Sequence, residues 1–323
     1  MHAAFYTTKG PAAEVLEVGE IETPLPQPGE VRIRIAASGV NPTDVKKRQG
    51  ADLEFPQIVP HSDGAGQIDA VGDGVPESRI GERVWTIFGQ WQRSFGTAAE
   101  YICLSSDLAV SLPDGTSDAA GACLGIPVLT AYRALTINGD VSGQTVLVTG
   151  GAGAVGHYTV QIAKLQGADV IATVSSPEKA AHAKAGGADH TIDYKQEDIG
   201  ARIREITGGR GVDRIIEVDI TANAALMPDV LRSGGTAIVY GSSSPNAEIP
   251  VLWCTRNDIT FHFFILYRLS DAVRDAAAIA VNGLLEAGSL QHTIAATYSL
   301  ADIVKAHEAV ESGKVMGNVV VTP

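Results

Sequence analysis

The 323-residue chain has room for two domains of ordinary size. With 45% hydrophobic residues and a mean hydropathy of +0.10, it carries enough apolar material for packed cores, which excludes disorder as its main state. Its 24 Lys+Arg against 37 Asp+Glu leave a formal charge of −13, the wrong sign for a protein that tracks a phosphate backbone, so nucleic acid is not an expected partner. The longest uncharged stretch, Val141 to Ala163, holds five glycines together with Ser142, His157 and Gln161, which is not the composition of a membrane helix. The opening residues MHAAFYTTKG lack the basic and apolar regions of an export signal, and Cys103, Cys123 and Cys254 have no CxxC spacing. A reduced, cytoplasmic location is expected.

The first third reads as short strands. Val31, Ile33 and Ile35 alternate with Arg32 and Arg34, and strand-like runs follow at Val84–Phe88 and Ala99–Leu104. Turn signals at Pro26-Gln27-Pro28-Gly29 and Gly72-Asp73-Gly74 have the spacing of a small β-barrel. From Thr145 the pattern becomes strand then helix: Val146–Thr149 with Val155–Lys164, Val170–Val174 with Pro177–Lys184, and Val212–Val218 with Ala222–Leu231. Repeated units of this kind predict a parallel sheet with crossover helices, so the fold class is α/β. Beyond Ile265 come an Ala-rich segment (Asp271–Glu286), a strand at Ile294–Tyr298, a helix at Ala301–Glu311 and a last strand at Asn318–Val321. This tail is expected to return to the first domain. The resulting division is 1–123, 124–265 and 266–323.

The motif that carries chemistry is Gly150-Gly151-Ala152-Gly153-Ala154-Val155-Gly156, in which Gly151, Gly153 and Gly156 form a GxGxxG between a predicted strand and a predicted helix. In that context the first glycine permits a tight turn, the second lets a pyrophosphate approach the backbone and the third lets helix and strand pack closely, so a dinucleotide cofactor is expected. At the end of the next strand an NAD enzyme usually places an acid. This chain has Ser175 and Ser176, followed by Pro177, Glu178 and Lys179, a set better suited to a 2′-phosphate and hence to NADPH. Ser176 before Pro177 is equally good helix-capping chemistry, and both roles are compatible.

Five segments, Gly39-Val40-Asn41-Pro42, Ser62-Asp63-Gly64-Ala65-Gly66, Gly125-Ile126-Pro127, Thr130 to Leu135 and the glycine motif, occur in that order. With them the chain resembles the medium-chain dehydrogenase/reductase superfamily, in its quinone oxidoreductase (zeta-crystallin-like) branch. The similarity extends over essentially the whole length, to Gly313–Val320. It implies a GroES-like barrel domain joined to a Rossmann domain, with NADPH in the cleft. It also implies a homodimer formed through the edge run Ile259 to Phe264, which is apolar enough to need covering. By family position, Thr130, Ala154, Val155, Tyr194, Gly241, Ser242, Phe263 and Asn318 would lie near the cofactor, while Asn41, Asp44, Lys46 and His61 are candidates near the substrate.

Zinc members of the superfamily hold the catalytic metal at positions that here read Asn41, Ser62 and Ile126. An amide, a hydroxyl and an alkyl group do not replace thiolates and imidazole, so no metal is expected. A quinone or an enone needs less polarisation than an alcohol, because its own conjugation spreads the charge that develops. The expected activity is therefore zinc-independent NADPH:quinone oxidoreduction, with enone or alkenal reduction and a non-catalytic, crystallin-like cofactor-binding role as alternatives. Asn41 could donate from its amide. Lys46 could stabilise an enolate or belong to a solvated basic turn with Lys47 and Arg48, and His61 is a lone histidine that also reads as a satisfied hydrogen-bonding group.

Overall fold

The computed structural model describes residues 1–323, which divide into two compact units, Met1–Pro127 with Ala278–Pro323, and Val128–Ala277. The divisions fall a few residues beyond 123/124 and well beyond 265/266 for local reasons. The Leu124–Val128 turn, with Pro127 inside it, runs directly into the helix Leu129–Thr136, and the 16-residue helix Asp271–Glu286 continues across the second boundary.

The first unit is built on a seven-stranded sheet. Its order is Ile294–Ser299, Asn318–Thr322, Glu30–Val40, Asp63–Val71, Arg83–Thr86 and Ala109–Ser111, with Tyr101–Ser105 also pairing onto Glu30–Val40. The alternation read in Val31 to Ile35 is real: Val31, Ile33 and Ile35 are buried with Ile68, Val84, Ile102 and Leu104 in one core. The C-terminal strand is interior to this sheet. Val319, Val320 and Val321 pair antiparallel with Val40, Gly39 and Ser38, more than two hundred residues earlier in the chain.

The second unit is a six-stranded parallel sheet in the order His190–Asp193, Asp169–Val174, Thr145–Val148, Val212–Glu217, Leu231–Val239 and Thr260–Phe263. The order reverses between Thr145–Val148 and Val212–Glu217, where open α/β sheets bind ligands. Thr145–Val148 is buried throughout and Asp169–Val174 at every position after Asp169, which is why they read as continuous apolar runs. One expected helix differs from its sequence pattern. Ala222–Leu231 is broken into Ile220–Asn223, a 3₁₀ turn at Ala224–Leu226 and Met227–Val230, and Leu231 already belongs to the next strand. Pro228 lacks the amide needed to extend a helix from the preceding turn, so it begins a new one.

Arg214 lies on the strand next to the reversal and is buried. It donates through Nη1 to the carbonyls of Leu135 (3.1 Å), Ile137 (2.9 Å) and Gly139 (3.2 Å), the otherwise unpaired end of the helix Leu129–Thr136. No helix of the chain is long and apolar enough to cross a membrane.

Candidate functional site

In the second unit, the strand Thr145–Val148 leads through the glycine turn into the helix Ala154–Leu165, whose N-cap is Gly153. The turn is made by Gly150, with φ +68°, and not by Gly151, to which the motif spacing had given that task. Gly151 instead packs on the neighbouring strand, where a Cβ would stand 2.6 Å from Ala172 Cβ. A Cβ on Gly156 would fall on the Gly150 carbonyl, well inside van der Waals contact, so this glycine holds helix and turn together. Gly153 differs from both, since the nearest atom to its Cβ would be Gly150 O at 3.4 Å. A Cβ would fit beside the Gly153 backbone without a clash, and the helix has no acidic residue in its first turn and no side-chain cap. The first-turn amides of Ala154, Val155 and Gly156 have no carbonyl of their own helix to bind, which leaves them available to a pyrophosphate.

A cavity of about 630 Å³ opens at the strand-order reversal, lined by Thr149, Gly150, Thr173, Tyr194, Glu217 and Asp219 among others. Glu217, which the sequence reading passed over, ties its rim together. Its Oε1 accepts from Asp219 N (2.6 Å), Asn223 Nδ2 (2.9 Å) and Thr149 Oγ1 (3.1 Å). Burial raises its pKa above the usual carboxylate value. Tyr194 is half exposed just past the strand His190–Asp193, and its amide bonds the Val174 carbonyl at 3.1 Å, which brings it next to Ser175. Ser175, Ser176 and Lys179 are partly exposed at the turn into the helix Pro177–Ala185. Ser176 Oγ accepts from Lys179 N at 3.3 Å, the capping role its position suggested.

Of the other residues assigned by family position, Thr130 is buried in the helix Leu129–Thr136. Gly241 lies against Val218 O, while Ser242 Oγ is 2.7 Å from Thr221 Oγ1. Phe263 ends the edge strand, 56% exposed and stacked with Phe261 at 6.1 Å.

The first unit holds Asn41, Lys46, His61 and Asn318. Asn318 is buried, with N and Nδ2 both donating to Thr293 O (2.9 and 3.4 Å). The helix Pro42–Gly50 sends its three successive cations in three directions, as 100° per residue requires. Lys46 is exposed. Lys47 is half-buried, 5.2 Å above the Trp91 ring, and donates to Gln90 O and Oε1 at 3.2 Å each. Arg48 is fully buried.

Asn41 caps this helix. Its amide nitrogen donates to Asp44 Oδ2 (2.8 Å), and its side-chain Nδ2 donates to Asp63 Oδ2 (2.8 Å). All three side chains are at most 3% exposed. Burial pushes the Asp44 carboxyl up to about 7 and raises Asp63 well above the ordinary value.

His61 is fully buried, at a positive φ of 76°, with both ring nitrogens engaged inside its own unit. Nδ1 lies 2.8 Å from Ser38 Oγ and Nε2 lies 2.9 Å from His307 Nε2. Ser38, Thr97, His307, Arg48 and Asp63 form its surroundings. None of them carries a local sequence signal except Asp63, which stands in the Ser62–Gly66 segment.

Asn41, Ser62 and Ile126 are all buried, and Ile126 contributes its backbone N–H to Asp63 Oδ2 at 3.1 Å.

Residues 27–114 match the alcohol dehydrogenase GroES-like domain family, and residues 154–282 match the family described as zinc-binding dehydrogenase. The second segment contains none of the three candidate ligand positions. The human quinone oxidoreductase is 31% identical over 304 residues, spanning 93% of this chain and 91% of that protein. A 2-haloacrylate reductase from Burkholderia is 31% identical over 338 residues, spanning 100% of this chain and 99% of that protein. Among solved structures, the Escherichia coli quinone oxidoreductase in complex with NADPH superposes with a TM-score of 0.90 at 26% identity, covering 100% of both chains.

Proposed function

Because this chain belongs to the medium-chain dehydrogenase/reductase superfamily, in its quinone oxidoreductase branch, we propose that it is an NADPH:quinone oxidoreductase that works without zinc. The observation that carries the reading is the glycine turn. Gly153 alone of the three motif glycines would accept a Cβ without a clash, and it stands at the N-terminus of a 12-residue helix with nothing acidic in its first turn.

NADPH, when bound, supplies hydride, and with one proton from solvent a quinone becomes the hydroquinone while NADP⁺ is released. The residues of this chain bind and orient. Amides of the turn and of Ala154, Val155 and Gly156 hold the pyrophosphate, Ser175, Ser176 and Lys179 take the 2′-phosphate, and Tyr194 borders the adenosine end. Thr130, Gly241, Ser242, Phe263 and Asn318 complete the cofactor set. Asn41 donates a hydrogen bond toward the reacting end, with Lys46 as a supporting cation. His61, closed within its own hydrogen bonds, acts as a positioning residue.

Reduction of an activated carbon–carbon double bond is the second reading, favoured by the likeness to 2-haloacrylate reductase. The edge strand Thr260–Phe263, unpaired on its outer side and with Phe263 exposed, supports a homodimer closed through that edge, and the charge of −13 argues against nucleic acid. A cytoplasmic location completes the reading. The test is NADPH consumption against a panel of quinones, enones and 2-haloacrylates, run beside sedimentation of the protein. Turnover with quinones at the highest kcat/KM supports the first reading, a preference for alkenes transfers the assignment to the second, and no turnover with any acceptor leaves a cofactor-binding protein.

A further inference from the structure

Asn41 is useful to a reacting carbonyl only if its amide is held with the donor side in a fixed direction. Alone, a terminal amide turns through a broad, two-fold torsional well, and its oxygen and nitrogen exchange places at little cost. The chain holds it with a second side chain. Asp63 Oδ2 accepts from Asn41 Nδ2 at 2.8 Å and from Ile126 N at 3.1 Å, so one carboxyl oxygen binds the amide and the 125–127 turn together.

Asp63 is itself fixed at two levels. Its backbone carbonyl accepts from Thr97 Oγ1 at 2.6 Å. Its side chain fits because two neighbours have none: a Cβ on Gly125 would stand 2.5 Å from Asp63 Oδ1, and a Cβ on Gly39 would stand 3.2 Å from Asp63 Cβ. Asp63 is 0% exposed, and its Oδ1 has no hydrogen-bond partner. A buried carboxyl with an idle oxygen is costly to keep for stability alone, and an apolar residue would fill the same strand position.

We propose that Asp63 is the positioning residue of the acceptor site, a carboxyl whose Oδ2 accepts from the Asn41 amide and orients it toward the substrate. This rests on the reading of Asn41 as the donor to the reacting end. The role follows from the contacts: Oδ2 takes both hydrogen bonds, and no cation touches the carboxyl. An asparagine at 63 would offer a carbonyl oxygen to the same two donors.

The experiment is steady-state NADPH oxidation with 1,4-benzoquinone, with melting curves taken in parallel, on N41A, D63A, D63N and the double variant N41A/D63A. N41A and D63A should each lower kcat/KM at least tenfold, the double variant should be no worse than the poorer single one within threefold, and D63N should recover to within threefold of the parent. If D63A does not fold, D63S replaces it, because its hydroxyl is too short to reach Asn41. Independent losses that multiply in the double variant, or a D63N as poor as D63A with an unchanged melting temperature, overturn the proposal. A damaged N41A beside an unaffected D63A also overturns it while leaving the role of Asn41 intact. An unaffected N41A removes the reading of Asn41 itself, whatever Asp63 does.

Discussion

His61 and His307, 246 residues apart in sequence, stack with ring centroids 5.1 Å apart and share an Nε2···Nε2 hydrogen bond of 2.9 Å. One of them must donate, and the neighbours decide which. Arg48 Nε can only donate, so its 3.4 Å contact makes His307 Nδ1 an acceptor and puts the proton on His307 Nε2. His61 Nε2 then accepts, His61 Nδ1 donates to Ser38 Oγ, and the Ser38 hydroxyl donates to Thr97 Oγ1 at 2.7 Å. Thr97 passes its own proton to the Asp63 carbonyl. The chain from Arg48 to Asp63 thus has a single polarity, and neither imidazole can take a second proton without two donors facing each other.

Its first consequence concerns acid. Burial, reinforced by Arg48, lowers His307 to about 3, and burial with the His307 charge lowers His61 well below the ordinary value. A histidine with a depressed folded pKa binds fewer protons folded than unfolded, so its penalty is absent above about 6.5 and grows as pH falls below it. Asp44, raised by burial to about 7, acts oppositely and costs stability as pH climbs from about 4 toward 7, and Asp63, also raised by burial, acts in the same direction. The variant H307Q isolates the first effect. It should be less stable than the parent at pH 7.5 by about 1–3 kcal/mol, and the gap should shrink by about 2 kcal/mol at pH 5. Denaturant titrations at the two pH values measure this, and a gap that stays constant would mean that His307 is not held neutral.

The glycine turn separates folding from binding. G153A adds a methyl group that meets only the Gly150 carbonyl, at an ordinary contact distance of 3.4 Å, so the protein should keep its melting temperature within a few degrees while NADPH binding weakens at least tenfold. G156A puts the same methyl onto the Gly150 carbonyl and should destabilise the fold itself. G153V should lose the cofactor altogether. Melting curves and NADPH fluorescence titrations distinguish the three, and a G153A protein that melts as early as G156A would refute the division of roles.

Cofactor choice is assigned to the turn after Val174. S175D places a carboxylate where the 2′-phosphate is expected, and the ratio of kcat/KM for NADPH to that for NADH should fall by one to two orders of magnitude. An unchanged ratio would move the 2′-phosphate away from Ser175.

Metal content follows from Asn41, Ser62 and Ile126. Purified protein should contain no stoichiometric zinc, and activity should survive prolonged chelation. Elemental analysis together with an assay in chelator decides the point, since tightly held zinc whose removal stops turnover is incompatible with those three side chains as its ligands.

Lys46 is the exposed member of its basic triplet. If its charge serves the acceptor, K46A should lower kcat/KM tenfold to a hundredfold, roughly 1.4 to 2.7 kcal/mol, without abolishing hydride transfer. A K46A enzyme with parental kinetics makes Lys46 a solvated surface residue.

The parallel-sheet unit was largely legible because its signals are local. A strand, a glycine motif and a helix follow within about twenty residues, and period and motif point the same way. The break at Pro228 escaped because the apolar spacing of Ala222 to Leu231 continues through it. Lys46, Lys47 and Arg48 looked alike as a basic run. Only the helix, by turning about 100° at each step, gives one to water, one to Trp91 and one to the core. The hydrogen-bonded chain through His61 was not legible at all, since His307 and Arg48 reach it through long-range packing and no spacing rule joins residues 48, 61 and 307. Asp63 stood inside a motif already in view, and its partner Asn41 was recognised, but the contact between them depends on the register of Glu30–Val40 with Asp63–Val71.

The C-terminal strand has a consequence for how the chain is made. Val319, Val320 and Val321 sit inside the first unit's sheet, and His307 completes its buried polar core, so that unit cannot finish folding until residues 307–321 have left the ribosome. The intervening unit, Val128–Ala277, is continuous in sequence and has no such wait. During synthesis residues 1–127 must remain an incomplete sheet, with the Ser38–Val40 edge open, until the strand Asn318–Thr322 emerges. Termination between residue 277 and Asn318 would therefore release the Val128–Ala277 unit attached to a sheet that lacks one of its interior strands.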